Sequence, residues 1–164
     1  MGLFERQSFS TSAVLAITVT EETAKAHVAI FRKDRPEGTI KGRDPLHDHR
    51  MKHRMAILPP VFISDRLERT LGKDTCVKLQ KEAETTGFTA TREAALYCAR
   101  VDDKFTTPRT AVSAERAWEL SVLAIEALDD ALVGYTSHSM AKSARIDALF
   151  DRIAAQTPIQ REHP

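Results

Sequence analysis

Glycine is scarce in this chain, with six residues in 164. A loop that wraps phosphate with its backbone needs glycine at fixed offsets, and neither GxxxxGK[ST] nor GxGxxG occurs. GxSxG and HExxH are missing too, which removes the serine-hydrolase elbow and the zinc-protease helix. The two cysteines, Cys76 and Cys98, lie in separate helical patterns without a CxxC pair, so reduced thiols are expected rather than a disulfide framework. No apolar run approaches the roughly 20 residues that cross a bilayer. The opening MGLFERQSFSTSAVLAITVT has an apolar patch but a weak basic region and no small-residue cleavage site, and its sixth position is Arg6 where a myristoylation signal has Ser or Thr. These absences predict a cytoplasmic protein with no membrane partner. An excess of one charge is lacking as well: 24 Lys and Arg face 23 Asp and Glu, which argues against a wholesale polyanion binder.

What is present points to helices. The longest uninterrupted pattern is Ser113 to Leu132, where Ala117, Trp118, Leu120, Leu123, Ala124, Ala127, Leu128 and Leu132 fall on a broad apolar arc at 100° per residue. Ser113 is an N-cap type and Gly134 stands just past the end. Glu115, Glu119, Glu126 and Asp130 form a narrow acidic stripe expected to face water. A helix this apolar needs neighbours on more than one side.

Elsewhere the patterns are shorter. Ala13, Leu15, Ile17 and Val19 alternate and read as a strand, followed by a helix from Thr20 to about Arg32. His27 in that helix reads as a partly buried structural residue. From Lys33 to Pro60 periodicity fades among four prolines, and residues 31–60 hold eight basic against four acidic side chains. Asp65 and Glu68 have capping-box spacing for a brief helix to Leu71, and Gly72 breaks it. Helices follow over Thr75 to Thr86, ended by Gly87, and over Thr89 to Val101. A loop runs from Asp102 to Pro108, and a last helix from Ser139 carries Ile146, Leu149, Phe150 and Ile153. The expected architecture is mainly α: a small helical bundle with a C-terminal antiparallel helical hairpin and one or two short strands. Its divisions are a strand/helix arm over 1–32, a basic linker over 33–60, a helical domain over 61–157 and a tail over 158–164.

The only cluster with metal-ligand residue types is His47, His49 and His53, with Asp44 and Asp48 nearby. Arg50, Lys52 and Arg54 alternate with these residues and would repel a cation, so a solvated basic segment is expected, with no metal and no cofactor. The adjacent acids Asp129 and Asp130 point about 100° apart on a helix and do not converge on one substrate. No constellation supports an enzyme.

The stretch KLQKEAETTGFTATREAALYCARV, a helix, Gly87, Thr89 and a second helix, resembles ribbon-helix-helix DNA-binding proteins. The resemblance implies a dimer in which Val61 to Leu67 is a strand whose Ser64 and Arg66 read DNA bases in the major groove. Lys41, Arg43, Arg50, Lys52 and Arg54 would then contact phosphates. A DNA-associated regulatory or accessory protein is therefore the first expectation. The second is a non-enzymatic helical adaptor that binds a protein partner through its C-terminal hairpin.

Overall fold

The computed structural model describes residues 2–32, 47–57, 65–101, 104–132 and 136–156. In chain order its elements are α1 (Gly2–Glu5), α2 (Phe9–Arg32), α3 (His49–Ala56), α4 (Asp65–Leu71), α5 (Lys73–Glu84), α6 (Gly87–Leu96), β1 (Ala99–Val101), β2 (Lys104–Thr106), α7 (Pro108–Ala111), α8 (Ala114–Leu132) and α9 (Ser137–Ala154). The chain is mainly helical, as expected.

Helix α8 starts where the sequence places it, with the Ser113 hydroxyl accepting from the Arg116 N–H at 3.1 Å. Its apolar arc buries Ala117, Trp118, Leu120, Val122, Leu123, Ala124 and Ala127. The Trp118 indole N–H donates to the Ile153 carbonyl at 2.8 Å, and Asp129 accepts from the Ser143 hydroxyl at 2.6 Å. The start of α8 therefore meets the end of α9, so the C-terminal pair is antiparallel. The acidic stripe does not all face water: Glu119 and Glu126 are buried. Each has a cation beside it, Arg116 at 2.9 Å from Glu119 and Arg66 at 2.7 Å from Glu126, which makes the burial tolerable.

The expected strand at Ala13 to Val19 is the interior of α2. Its two-residue alternation competes with a helical series, Ala13, Ala16, Ile17, Thr20 and Ala24, all buried, while Leu15 lies half exposed at 51%. Thr18, inside the expected strand, and Thr20, the expected helix start, both bond back one turn within α2, Thr18 Oγ1 to the Val14 carbonyl at 2.9 Å and Thr20 Oγ1 to the Ala16 carbonyl at 3.0 Å. Helices α2 and α8 form the most extensive helix pair, and α2 also packs on α3 and α6. Helix α2 thus shares the central place expected for α8 alone.

Gly87 begins α6 rather than ending α5. A Cβ there would lie 2.8 Å from Glu82 Cβ, so only glycine lets the two helices turn this tightly. Helix α6 stops at Leu96, and Ala99–Val101 pairs antiparallel with Lys104–Thr106, Arg100 opposite Phe105. A hairpin thus replaces the expected last turn of helix and part of the expected loop.

Candidate functional site

Glu21 lies on the buried face of α2, one residue past Thr20, and is 5% exposed. An isolated carboxylate does not survive such burial without partners. Here three come from α3. Asp48 caps that helix by accepting from the Met51 N–H at 3.1 Å, which winds His49, Lys52 and His53 into the i, i+3, i+4 relation that shares one helical face. His49 Nδ1 is 2.8 Å and His53 Nε2 3.0 Å from the same oxygen, Glu21 Oε1. Lys52 Nζ is 3.4 Å from Oε2. The fourth partner is Arg92 of α6, whose Nη1 is 3.2 Å from Oε1. Burial pushes the Glu21 pKa up, but the hydrogen bonds of His53 and His49 and the charges of His49 and Lys52 outweigh it. They hold the pKa at about 2 against an ordinary 4.5.

The four partners differ in access. The side chains of His53 and Lys52 are 0% and 6% exposed, those of His49 and Arg92 43% and 32%. His53 stacks edge-on against Phe88, 5.2 Å between ring centroids, and its Nδ1 is buried without a hydrogen-bond partner among the described residues. His49 Nδ1 also lies 3.2 Å from Arg92 Nη1. A guanidinium only donates and a carboxylate only accepts, so His49 Nδ1 serves Glu21 as an N–H donor and Arg92 as a lone-pair acceptor. The two arrangements differ in where the ring carries its proton. Chemically the site is a fixed carboxylate holding two cations and two imidazoles, with one imidazole and one guanidinium open to solvent. That suits an anion that gives up or takes a proton. Among the described residues no group of three or more His, Cys, Asp or Glu is arranged to hold a metal ion.

A second cluster has the opposite sign. Arg66 of α4 reaches α8 and α9: Nε is 2.7 Å from Glu126 Oε2, Nη2 3.0 Å from Asp129 Oδ2, and Nη1 pairs with Asp147. Its guanidinium carbon sits 4.2 Å from the centroid of the Phe150 ring. Burial works against the Arg66 charge, but these carboxylates raise its pKa. Nearby Asp130 is pushed up to about 6, by burial first and then by the charges of Glu126 and Asp129.

The residues expected to bind nucleic acid are thereby dispersed. Lys52 belongs to the Glu21 site and Arg66 to the acidic cluster, while Arg50 and Arg54 are exposed on α3. Lys41, Arg43 and Ser64 lie outside the described residues. Of the expected ribbon Val61 to Leu67, residues 61–64 also lie outside them, and residues 65–67 are helical, in α4. Arg66 cannot read bases while three carboxylates enclose it. Glu21 and Arg92 were missed because each reads locally as an ordinary helix residue. The available signal was the His49, Lys52, His53 spacing, which puts two imidazoles and an ammonium on one face and so demands a buried counter-charge from another helix.

A cavity of about 510 Å³ lies against the α1–α2 turn, and a smaller apolar groove of about 240 Å³ runs between α2, α8 and α9; Glu21 lines neither. No curated protein and no solved structure matches the chain. The AbiV family model of HEPN domains matches residues 2–129, which hold the Glu21 site entire and overturn both the ribbon-helix-helix resemblance and the DNA-binding regulator drawn from it. They give the helical adaptor no support either. With more than three quarters of its length matched, the chain belongs to the AbiV family of HEPN domains.

Proposed function

We propose that the protein is an abortive-infection, toxin-type ribonuclease whose reacting groups are His49 and Arg92, set by Glu21. Family membership supports a nuclease-like domain of this kind, and HEPN domains are often ribonucleases. The observation that carries the proposal is the shared Glu21 oxygen, which fixes His49 through Nδ1 and leaves the rest of a half-exposed imidazole beside Arg92 without a partner among the described residues. In RNA the 2′-hydroxyl attacks the adjacent phosphorus while His49 Nε2 takes its proton. The bond to the 5′-oxygen breaks, the leaving oxygen takes a proton from water, and a 2′,3′-cyclic phosphate and a 5′-hydroxyl result. Arg92 meets the charge that gathers on the non-bridging oxygens, as a preorganised donor does in other phosphoryl chemistry. Lys52 and His53 stay buried and hold Glu21 in place.

Incubating purified protein with a single-stranded RNA tests this. Products ending in 2′,3′-cyclic phosphate are expected from RNA and none from the same sequence carrying deoxyribose. Cleavage by a His49→Ala protein at the wild-type rate would remove His49 from the mechanism. No helix of the described residues is long and apolar enough to cross a membrane, and a cytoplasmic site of action is part of the proposal. A homodimer is part of it too, because HEPN domains commonly dimerise. Sedimentation of the protein at micromolar concentration as a monomer would remove that element.

A further inference from the structure

The cavity against the α1–α2 turn has no role in the chemistry above. Arg6, Gln7, Ser8, Thr11 and Arg109 give it a mainly polar wall, and the Ser10 hydroxyl donates to the Pro108 carbonyl to tie α2 to α7 beside it. Arg6 and Arg109 are exposed, and among the described residues neither side chain has an ion pair or hydrogen bond. Two unpaired guanidinium groups in one concavity of about 510 Å³ suit a phosphate diester, since guanidinium donors match phosphate oxygens in a planar fork.

Three features connect this cavity to a nucleic acid strand. Ala95, in its wall, follows Arg92 by three residues on α6, so one short helix borders both the cavity and the Glu21 site. Along α2, the ten residues from Thr11 to Glu21 span about 15 Å at about 1.5 Å each. That is about four nucleotides of a stacked strand at about 3.4 Å each. The chain around the cavity also carries exposed rings: Tyr97, two residues past Ala95, is 66% exposed, and Phe105, three residues before Pro108, is 74% exposed, with Arg100 5.9 Å from its centroid. A folded chain does not gain by leaving two such rings in water. Cations that take phosphates beside rings that stack bases are the chemistry by which single strands are held without sequence preference.

We propose that the Arg6/Arg109 cavity is a second phosphate subsite for single-stranded RNA, about four nucleotides from the Glu21 site, with Phe105 stacking on a base. The proposal rests on the ribonuclease reading for the identity of its ligand but is tested without cleavage. Fluorescence anisotropy of a labelled single-stranded RNA octamer is measured on the full chain carrying His49→Ala, so that the RNA stays intact. Adding Arg6→Gln and Arg109→Gln is expected to weaken binding at least tenfold and to flatten the plot of log affinity against log salt by about 1.4, two contacts at about 0.7 each. Phe105→Ala is expected to weaken binding about tenfold with the salt slope unchanged. Arg145→Gln, an exposed change on α9, is the control and should alter nothing. Thermal melting keeps a folding defect apart from a binding defect. Octamer affinity unchanged by the arginine pair overturns the subsite while leaving the ribonuclease reading intact. Equal loss for a double-stranded octamer, or no effect of Phe105→Ala, overturns the single-strand assignment. If the wild-type protein binds the octamer but never cleaves RNA, the ribonuclease reading fails and the subsite stands.

Discussion

Replacing Glu21 with Gln removes one negative charge from the centre of four partners while keeping the shape of the side chain. Two lines of reasoning give similar magnitudes. The folded carboxyl is held at about 2 against an ordinary 4.5, a difference that corresponds to about 3 kcal/mol of stabilisation of the folded state at neutral pH. Independently, deleting one member of a buried ion pair costs about 3–5 kcal/mol, because the other member is left buried and unpaired. Lys52 and His53, at 6% and 0% side-chain exposure, are the members left behind. Urea denaturation at pH 7 should therefore show the variant destabilised by about 3 kcal/mol with an unchanged m-value. The pH dependence has a definite sign. A lowered carboxyl pKa stabilises the folded state fully above the unfolded value, and the stabilisation is lost as pH falls from about 4.5 toward 2. The gap between wild type and variant should accordingly shrink by more than half between pH 7 and pH 3. A gap below about 1 kcal/mol at pH 7, or one that stays constant down to pH 3, would refute the central role of the Glu21 charge.

Four further outcomes follow from the same geometry. His49→Ala and Arg92→Ala should each lower the proposed ribonuclease rate by about 100-fold or more, while urea midpoints fall less than for Glu21→Gln, because the buried Lys52 and His53 stay on the carboxylate. Trp118→Ala should cost about 3–5 kcal/mol in denaturation, since it empties a buried site and removes the indole donor to the Ile153 carbonyl, which keeps only backbone partners; a water-like emission maximum for the native indole would contradict its burial. Gly87→Ala should destabilise by about 1–3 kcal/mol, because the new methyl meets both Cβ and backbone of Glu82, and a neutral result would mean that the α5–α6 turn is looser than described. Asp130→Asn should stabilise by about 2 kcal/mol at pH 7: a carboxyl pushed up to about 6 penalises the folded state only once pH exceeds its unfolded value, so the gain should vanish near pH 4.

Helix α8 was legible because its cap, its apolar arc and its length all agree, and local signals that agree are hard to override. The antiparallel hairpin followed from the short connection to α9. Helix α2 was misread over its first half because Ala13 to Val19 satisfies a period of two and a period of 3.6 at once. Only the packing against α8 and α3, which depends on residues far away in sequence, selects the second. The same distance hid the candidate site. Glu21, His49 and Arg92 come from three helices, and none carries a local mark that separates it from a surface residue. His49, Lys52 and His53 were seen, yet their cationic neighbours suggested repulsion of any ligand. The error lay in treating α3 as solvated: Arg50 and Arg54 point to water, while Lys52 and His53 are buried against a carboxylate that the local sequence does not contain.

The two charged clusters are near mirror images, and the contrast decides which is a site. Around Arg66 three carboxylates close on one guanidinium, so the cluster is negative, and its centre is shielded by Phe150 and the α8–α9 pair. An RNA phosphate approaching it meets like charge, and the groups it would need are already paired with one another. Around Glu21 the balance is reversed: Lys52 and Arg92 outnumber the single carboxylate before either imidazole is counted. A phosphate approaching there meets a donor, Arg92, and an imidazole whose Nδ1 is fixed and whose other edge is free. Burial makes both clusters rigid, but only the second combines rigidity with a surplus of positive charge and an exposed proton carrier. Rigid, unspent positive charge is what a transition state with extra negative charge on phosphate oxygens requires. Arg66 therefore serves the fold, locking α4 onto the C-terminal helices, and the Glu21 cluster is where chemistry on an anionic ligand has a physical basis.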